Sequence, residues 1–251
     1  MYRYIRINRA GNEIHCKLYY EDLTLVRKAI VFATGFAGHK DNNTAGIFAK
    51  ELLDKHKDFM VIVFNWPAHG EDAKKTLSLE DCSTYLETVI KELQMVFHIQ
   101  ELYAYATSFG GYLVLKYISE CDDPFMKIAL RCPAVNMYEV LTRNIIKDEE
   151  YERIMKSEDV QVGFDRKVIV TKKLLQDLQS NDICQRDYHK YAQRLLIIHG
   201  TADEVAPFEA DQEFARNNGI MFVPVKGADH RFQGPGQLEE VHQRVIAFVE
   251  A

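Results

Sequence analysis

A chain of 251 residues, 47% hydrophobic and 27% charged, has the balance of one large globular domain or of a core carrying an insertion. Its 37 acidic against 31 basic residues leave a net charge of −6, with no run of Lys and Arg suited to a phosphate backbone, so nucleic acid is not an expected partner. Five cysteines, odd in number and lacking a C-x-x-C pair, suggest neither a disulfide framework nor a zinc site, and no apolar stretch of about eighteen residues offers a membrane span.

Residues 1–8 alternate polar and apolar side chains, with no basic patch and apolar run of the signal-peptide kind, so a soluble, cytoplasmic protein without a membrane partner is expected. Residues 1–20 predict a β-hairpin at a sheet edge, turning at 8–12. Short apolar runs follow at 29–33, 60–64, 102–106, 127–130, 195–198 and 221–225. Most lack strict alternation, the mark of strands buried on both faces. Helical spacing lies between them: Ile47, Leu52 and Leu53, then Leu86, Val89, Ile90, Leu93 and Val96, then Leu113, Leu115 and Ile118. The alternation predicts an α/β fold with a doubly wound, mostly parallel sheet and a ligand site beyond the carboxyl ends of its strands.

From about residue 133 to 190 the alternation breaks. The stretch is polar and long, with helix-like segments at 137–146, 149–156 and 173–179 and a strand-like one at 167–171. It predicts a cap inserted at 134–190 over a core made of 1–133 and 191–251, a surface excursion with no part in the site being the plainer alternative.

The strongest local signal is the strand-turn-helix pattern of residues 103–113, with Ser108 between Ala106 and Gly110. A serine on a strained strand-to-helix turn needs small residues two before and two after it, and A-x-S-x-G meets that need. Before a Gly-Gly pair, Ser108 could equally be a simple helix N-cap. Asp203, in a polar loop after the apolar run at 195–198, comes ninety-five positions later. His230, in the loop after 221–225, comes twenty-seven positions after that. The order Ser, Asp, His is the α/β-hydrolase order and selects Asp203, with adjacent Glu204 left open as the alternative acid. In that chemistry His230 takes the Ser108 proton from an ordinary pKa of about 6.5. The N–H of Phe109, next after the nucleophile, and that of Phe36, in the glycine loop after the run at 29–33, are the candidate oxyanion donors.

These residues resemble bacterial α/β hydrolases of the serine-aminopeptidase-like group, which includes small capped esterases of the cinnamoyl (feruloyl) type. The likeness rests on Gly35-Phe36-Ala37-Gly38-His39, Asn65-Trp66-Pro67-Ala68-His69-Gly70, the Ser108 elbow, the run from His199 to Pro207 and Gly227-Ala228-Asp229-His230. The chain departs from the group's pattern at Thr34, where a histidine is usual, and at Ala68 and Ala106, where glycine is usual. The resemblance implies hydrolysis of a small-molecule carboxylic ester through an acyl-enzyme, with no metal or organic cofactor and a cap shaping the acyl pocket. Phe36, Phe109, Tyr138, Tyr151 and Phe164 are candidate pocket walls. A thioesterase, acyltransferase or peptidase would use the same three residues. A binding protein of the same fold would be expected to have lost one of them. A homo-oligomer is compatible with the sequence.

Overall fold

The computed structural model describes every residue except Ala10, so the centre of the predicted 8–12 turn lies outside the described residues. The hairpin β1 (Tyr2–Arg9) and β2 (Asn12–Tyr19) leads into β3 (Lys28–Ala33), α1 (Asn43–Lys55), β4 (Phe59–Phe64), α2 (Leu79–Met95), β5 (Glu101–Thr107), α3 (Phe109–Glu120) and β6 (Phe125–Arg131). After the long intervening segment come β9 (Leu195–Gly200), α7 (Phe208–Asn218), β10 (Met221–Val225) and α8 (Gln237–Glu250).

Eight strands form one sheet in the order β1-β2-β4-β3-β5-β6-β9-β10, antiparallel only where β2 meets β1 and β4. Strands β4 and β9 are buried along their whole length, which is why their sequences run apolar without alternating. The two edges are protected differently. β1 exposes most of its length, including Arg3, and β10 carries Pro224, which costs no ladder bond on its unpaired side. Of the helix faces read from spacing, Leu52, Leu53, Leu86, Val89, Ile90 and Leu93 are buried. Ile47 and Val96 are not: Ile47 faces a cavity, and Val96 lies just past the end of α2.

Residues 132–194 hold α4 (Met137–Glu139, running on as a π-helical turn through Ile145), α5 (Asp148–Met155), the two-stranded β7 (Val160–Val162) and β8 (Val168–Val170), and α6 (Lys172–Ser180). The segment is less independent than its polar composition suggests. Val135, Met137, Val140, Leu141, Ile154 and Leu174 are buried in the same hydrophobic core as the sheet, and Tyr112 of α3 donates its hydroxyl to Asn181 O at 2.9 Å. Strand β7 has no sequence signal of its own, being three residues long. No helix among the described residues is long and apolar enough to cross a membrane.

Candidate active site

Ser108 sits between β5 and α3 with φ 51° and ψ −123°, a region an L-residue enters only when its surroundings force it. Two features do the forcing. A Cβ on Gly110 would stand 2.3 Å from the Ala33 carbonyl oxygen, and one on Gly111 would stand 2.7 Å from the Pro133 backbone, so the start of α3 is pressed onto neighbouring chain that only glycine admits. The N-cap alternative fails on direct comparison. Asn42, Ser78 and Thr171 cap α1, α2 and α6 through side-chain bonds to backbone N–H groups, whereas Ser108 makes no such bond.

The loop after β3 lies against Ser108, since a Cβ on Gly35 would be 3.2 Å from the Ser108 Cβ. Among the described residues, no acceptor in the chain takes the N–H of Phe36 or of Phe109. Thr34, standing where the resembling group has histidine, leaves its buried Oγ1 without a hydrogen-bond partner. The loop is held instead from the turn after β4. Trp66 donates its indole N–H to Thr34 O at 2.8 Å, Asn65 Oδ1 accepts Lys40 N–H at 2.8 Å, and His69 Nε2 accepts Ala37 N–H at 3.0 Å. For that last bond His69 must be the Nδ1–H tautomer, and its Nδ1 faces Pro67 O at 2.8 Å. Burial pushes this imidazole down to about 4, so it stays neutral and able to accept. The sequence motif at 65–70 singled out these residues, but not their task.

His230 Nδ1 lies 2.7 Å from Asp203 Oδ2, and the other carboxylate oxygen of Asp203 accepts the N–H groups of Val205 and Ala206, both at 2.8 Å. Of the three carboxylates near this loop only Asp203 meets His230: Glu204 is exposed, and Asp229 accepts the backbone N–H groups of Arg231 and Gln233 within its own turn. Burial disfavours protonated His230, but the Asp203 carboxylate outweighs it, with Cys132 adding to the effect, and the imidazole is lifted to about 9 instead of lying near 6.5.

A second histidine stands behind the acid. His199, at the end of β9 and fully buried, has Nδ1 2.8 Å from Asp211 Oδ2 and Nε2 3.2 Å from Asp203 Oδ2 and 3.1 Å from Ala206 O. Both ring nitrogens face only acceptors, so both carry protons and the ring is a cation. Burial opposes that charge, and Asp203 and Asp211 overcome it, raising the ring to about 12. Asp211, in the first turn of α7, also accepts Val135 N–H at 3.2 Å. The result is a buried line Asp211, His199, Asp203, His230. The run from His199 to Pro207 named His199 without a role, and Asp211 was missed; the one hint was an acid on a helix face that also buries Phe214, Ala215 and Asn218.

Removing one partner of such a buried pair strands the other charges, so His199→Ala is expected to cost about 3–5 kcal/mol of stability. His199 is raised above its unfolded pKa, so its contribution is whole below about pH 6.5 and fades as pH climbs toward 12; Asp203 is depressed, so its contribution fades on acidification below about pH 4. The difference between wild type and variant in urea unfolding should therefore be largest between about pH 4 and 6.5. A difference under about 1 kcal/mol there would show that the line does not hold the acid.

Ser108 and His230 line one cavity of about 760 Å³, together with Phe36, Ile47, Arg131, Ile145 and Phe164. Of the other candidate walls, Phe109 is buried beside Phe36, ring centroids 6.0 Å apart, while Tyr138 and Tyr151 pack against the hydrophobic core away from the cavity. Among the described residues one group has metal-ligand types close together: Cys132, Asp203 and His230, within 4.8 Å. Its donor set is already committed, because both Asp203 oxygens and His230 Nδ1 are used in the bonds above.

A mostly parallel eight-stranded sheet with a strained serine elbow at the end of β5 defines an α/β hydrolase, and the chain is a hydrolase of the serine type. It belongs to the prolyl oligopeptidase family, whose model matches residues 64–251 and so spans the elbow, Asp203 and His230. No curated protein sequence matches it. Among solved structures it is similar to Est1E of Butyrivibrio proteoclasticus with ferulic acid bound, at TM-score 0.80 and 17% identity over 98% of each chain. A monoacylglycerol lipase from Paleococcus ferrophilus aligns at TM-score 0.67 and 21% identity over 94% of this chain and 98% of that one. Mouse α/β hydrolase domain-containing protein 10 aligns at 0.72 and 12% over 99% and 98%. At these identities the likeness speaks for the fold.

Proposed function

We propose that the chain is a carboxylic-ester hydrolase for small or medium acyl or aryl groups. The observation that carries this reading is an uncapped, strained Ser108 sharing a cavity with His230, whose Nδ1 is bonded to Asp203. In this reading Ser108 Oγ attacks the ester carbonyl while His230 Nε2 takes its proton. The N–H groups of Phe36 and Phe109 receive the oxyanion, with His69, Trp66 and Asn65 fixing the loop that carries the first of them. Collapse of the tetrahedral intermediate expels the alcohol, which leaves with the proton from His230. A water then repeats the sequence on the acyl-enzyme, releasing the acid and restoring Ser108.

The segment 134–190 acts in this reading as a cap, because it supplies Ile145 and Phe164 to the cavity wall while the sheet supplies the reacting groups. Its buried apolar face makes wholesale deletion a poor test, so the check is Ile145→Ala assayed on nitrophenyl esters of graded acyl length. The ranking of chain lengths should change by about 10-fold or more at the preferred length. An unchanged ranking would remove the segment from substrate choice.

The function itself is tested by treating the protein with a fluorophosphonate probe, mapping the modified residue, and assaying nitrophenyl esters beside thioesters and amides. Labelling at Ser108 with ester turnover is the expected result. Labelling with turnover only of thioesters or amides would change the leaving group but keep the site, and absence of labelling would leave a binding protein of the same fold.

A further inference from the structure

The cavity contains a charge that ester hydrolysis does not use. Arg131 is the last residue of β6 and lines the cavity with Ser108 and His230, its guanidinium 5.5 Å from the Phe232 ring centroid. Its Nε and Nη1 are buried, and neither has a hydrogen-bond partner. Among the described residues no carboxylate lies within ion-pair distance of it. The polar groups beneath it do not neutralise it: Tyr105 hydroxyl and His242 Nε2 are buried and without partners, and Glu51 is engaged by His242 Nδ1 at 3.1 Å. Burial, reinforced by the charge of Arg131, pushes His242 down to about 3 and keeps it neutral.

Arg131 is half-buried, with two of its three guanidinium nitrogens out of solvent and no counter-charge beside them, and sheltered charges of this kind are costly unless paired. The rest of the cavity has the same sign. It is lined by Arg131, Arg166 and Arg231 against a single acid, Asp165, which lies 3.6 Å from Arg231. Once that pair is set aside, two arginines face the cavity of a chain whose net charge is −6. Arg166 is exposed to solvent, which leaves half-buried Arg131 as the charge a neutral acyl ester would leave unanswered.

We propose that Arg131 is the anion-recognising residue of the acyl site and that the substrate is an ester whose acyl part carries a carboxylate. With Nε and Nη1 buried, Nη2 is the nitrogen left to meet a carboxylate through a charge-assisted N–H bond, and Phe232 beside it limits how the guanidinium can turn. The inference rests on the reading of Ser108 as the nucleophile.

The test compares nitrophenyl half-esters of dicarboxylic acids, succinate to adipate, with neutral acyl esters of matched length on the wild-type protein. At the best length the anionic ester should be favoured in kcat/KM by about 10- to 100-fold, and added salt should narrow that ratio. Arg131→Met should bring the ratio to one or below, while Arg131→Lys should retain part of it. Equal or better turnover of the neutral esters by wild-type protein that labels at Ser108 overturns the proposal. If Ser108 does not label, the hydrolase reading fails by itself, and titration calorimetry with glutarate still reads the anion site. Binding by wild type that is lost in Arg131→Met supports the site, and no binding by either rejects it.

Discussion

Ser108→Ala should abolish fluorophosphonate labelling and lower ester turnover by about 10⁶, leaving only what the oxyanion donors and substrate binding contribute over water. The fold should not notice the change. The hydroxyl bonds to no backbone N–H at the start of α3, so its loss leaves no cap empty. The strained backbone at φ 51° is imposed by Gly110 and Gly111 packing on Ala33 and Pro133, and it is unchanged by the substitution. Thermal unfolding should shift by no more than about 0.5 kcal/mol. A variant that folds normally and still turns over esters at the wild-type rate would refute Ser108 as nucleophile, and with it the proposed function.

Asp203→Asn should lower kcat by about 10⁴, the size of effect known for the equivalent change in another serine hydrolase. The contacts give the reason. One carboxylate oxygen accepts from Val205 and Ala206, so an asparagine placed there keeps its carbonyl on those two N–H groups and turns its NH₂ toward His230 and His199. A donor now faces His230 Nδ1, which must become an acceptor, and the ring proton moves to the nitrogen that should receive it from Ser108. The same NH₂ meets the His199 cation. The pH profile supplies a second readout. The base works only when neutral, and with Asp203 present His230 is raised to about 9, so wild-type kcat/KM should still be climbing between about pH 7 and 9. Removing the carboxylate should move that acid limb downward. Glu204→Gln should leave both rate and limb in place, because the side chain is exposed. The opposite pattern, with Glu204→Gln crippling and Asp203→Asn near normal, would reverse the assignment of the acid.

The order of strands and helices was legible in the sequence because strands buried on both faces must be apolar throughout, and crossover helices must be apolar on one side. Runs such as 60–64 and 195–198 therefore announce themselves, and so does the Ser108 elbow, whose strained turn demands Ala106 and Gly110. The order Ser, Asp, His followed from the same chain. What the sequence left open was every question of partnership between buried polar groups. Asp203 and Glu204 are neighbours in sequence, and only the turn geometry after β9 decides which one His230 meets. His69 and Thr34 come from different loops, and only the adjacency of β3 and β4 lets one hold the loop that the other leaves unbonded. His199 and Asp211 become a cation and its anion because α7 folds back across the end of β9. Arg131 becomes an unpaired charge in a cavity because β6 ends beside β5 and Phe232 covers its flank. Apolar patterning is a property of each segment and is written locally. Hydrogen-bond and charge partners belong to pairs of segments, and they exist only once the sheet has set which loop ends lie side by side.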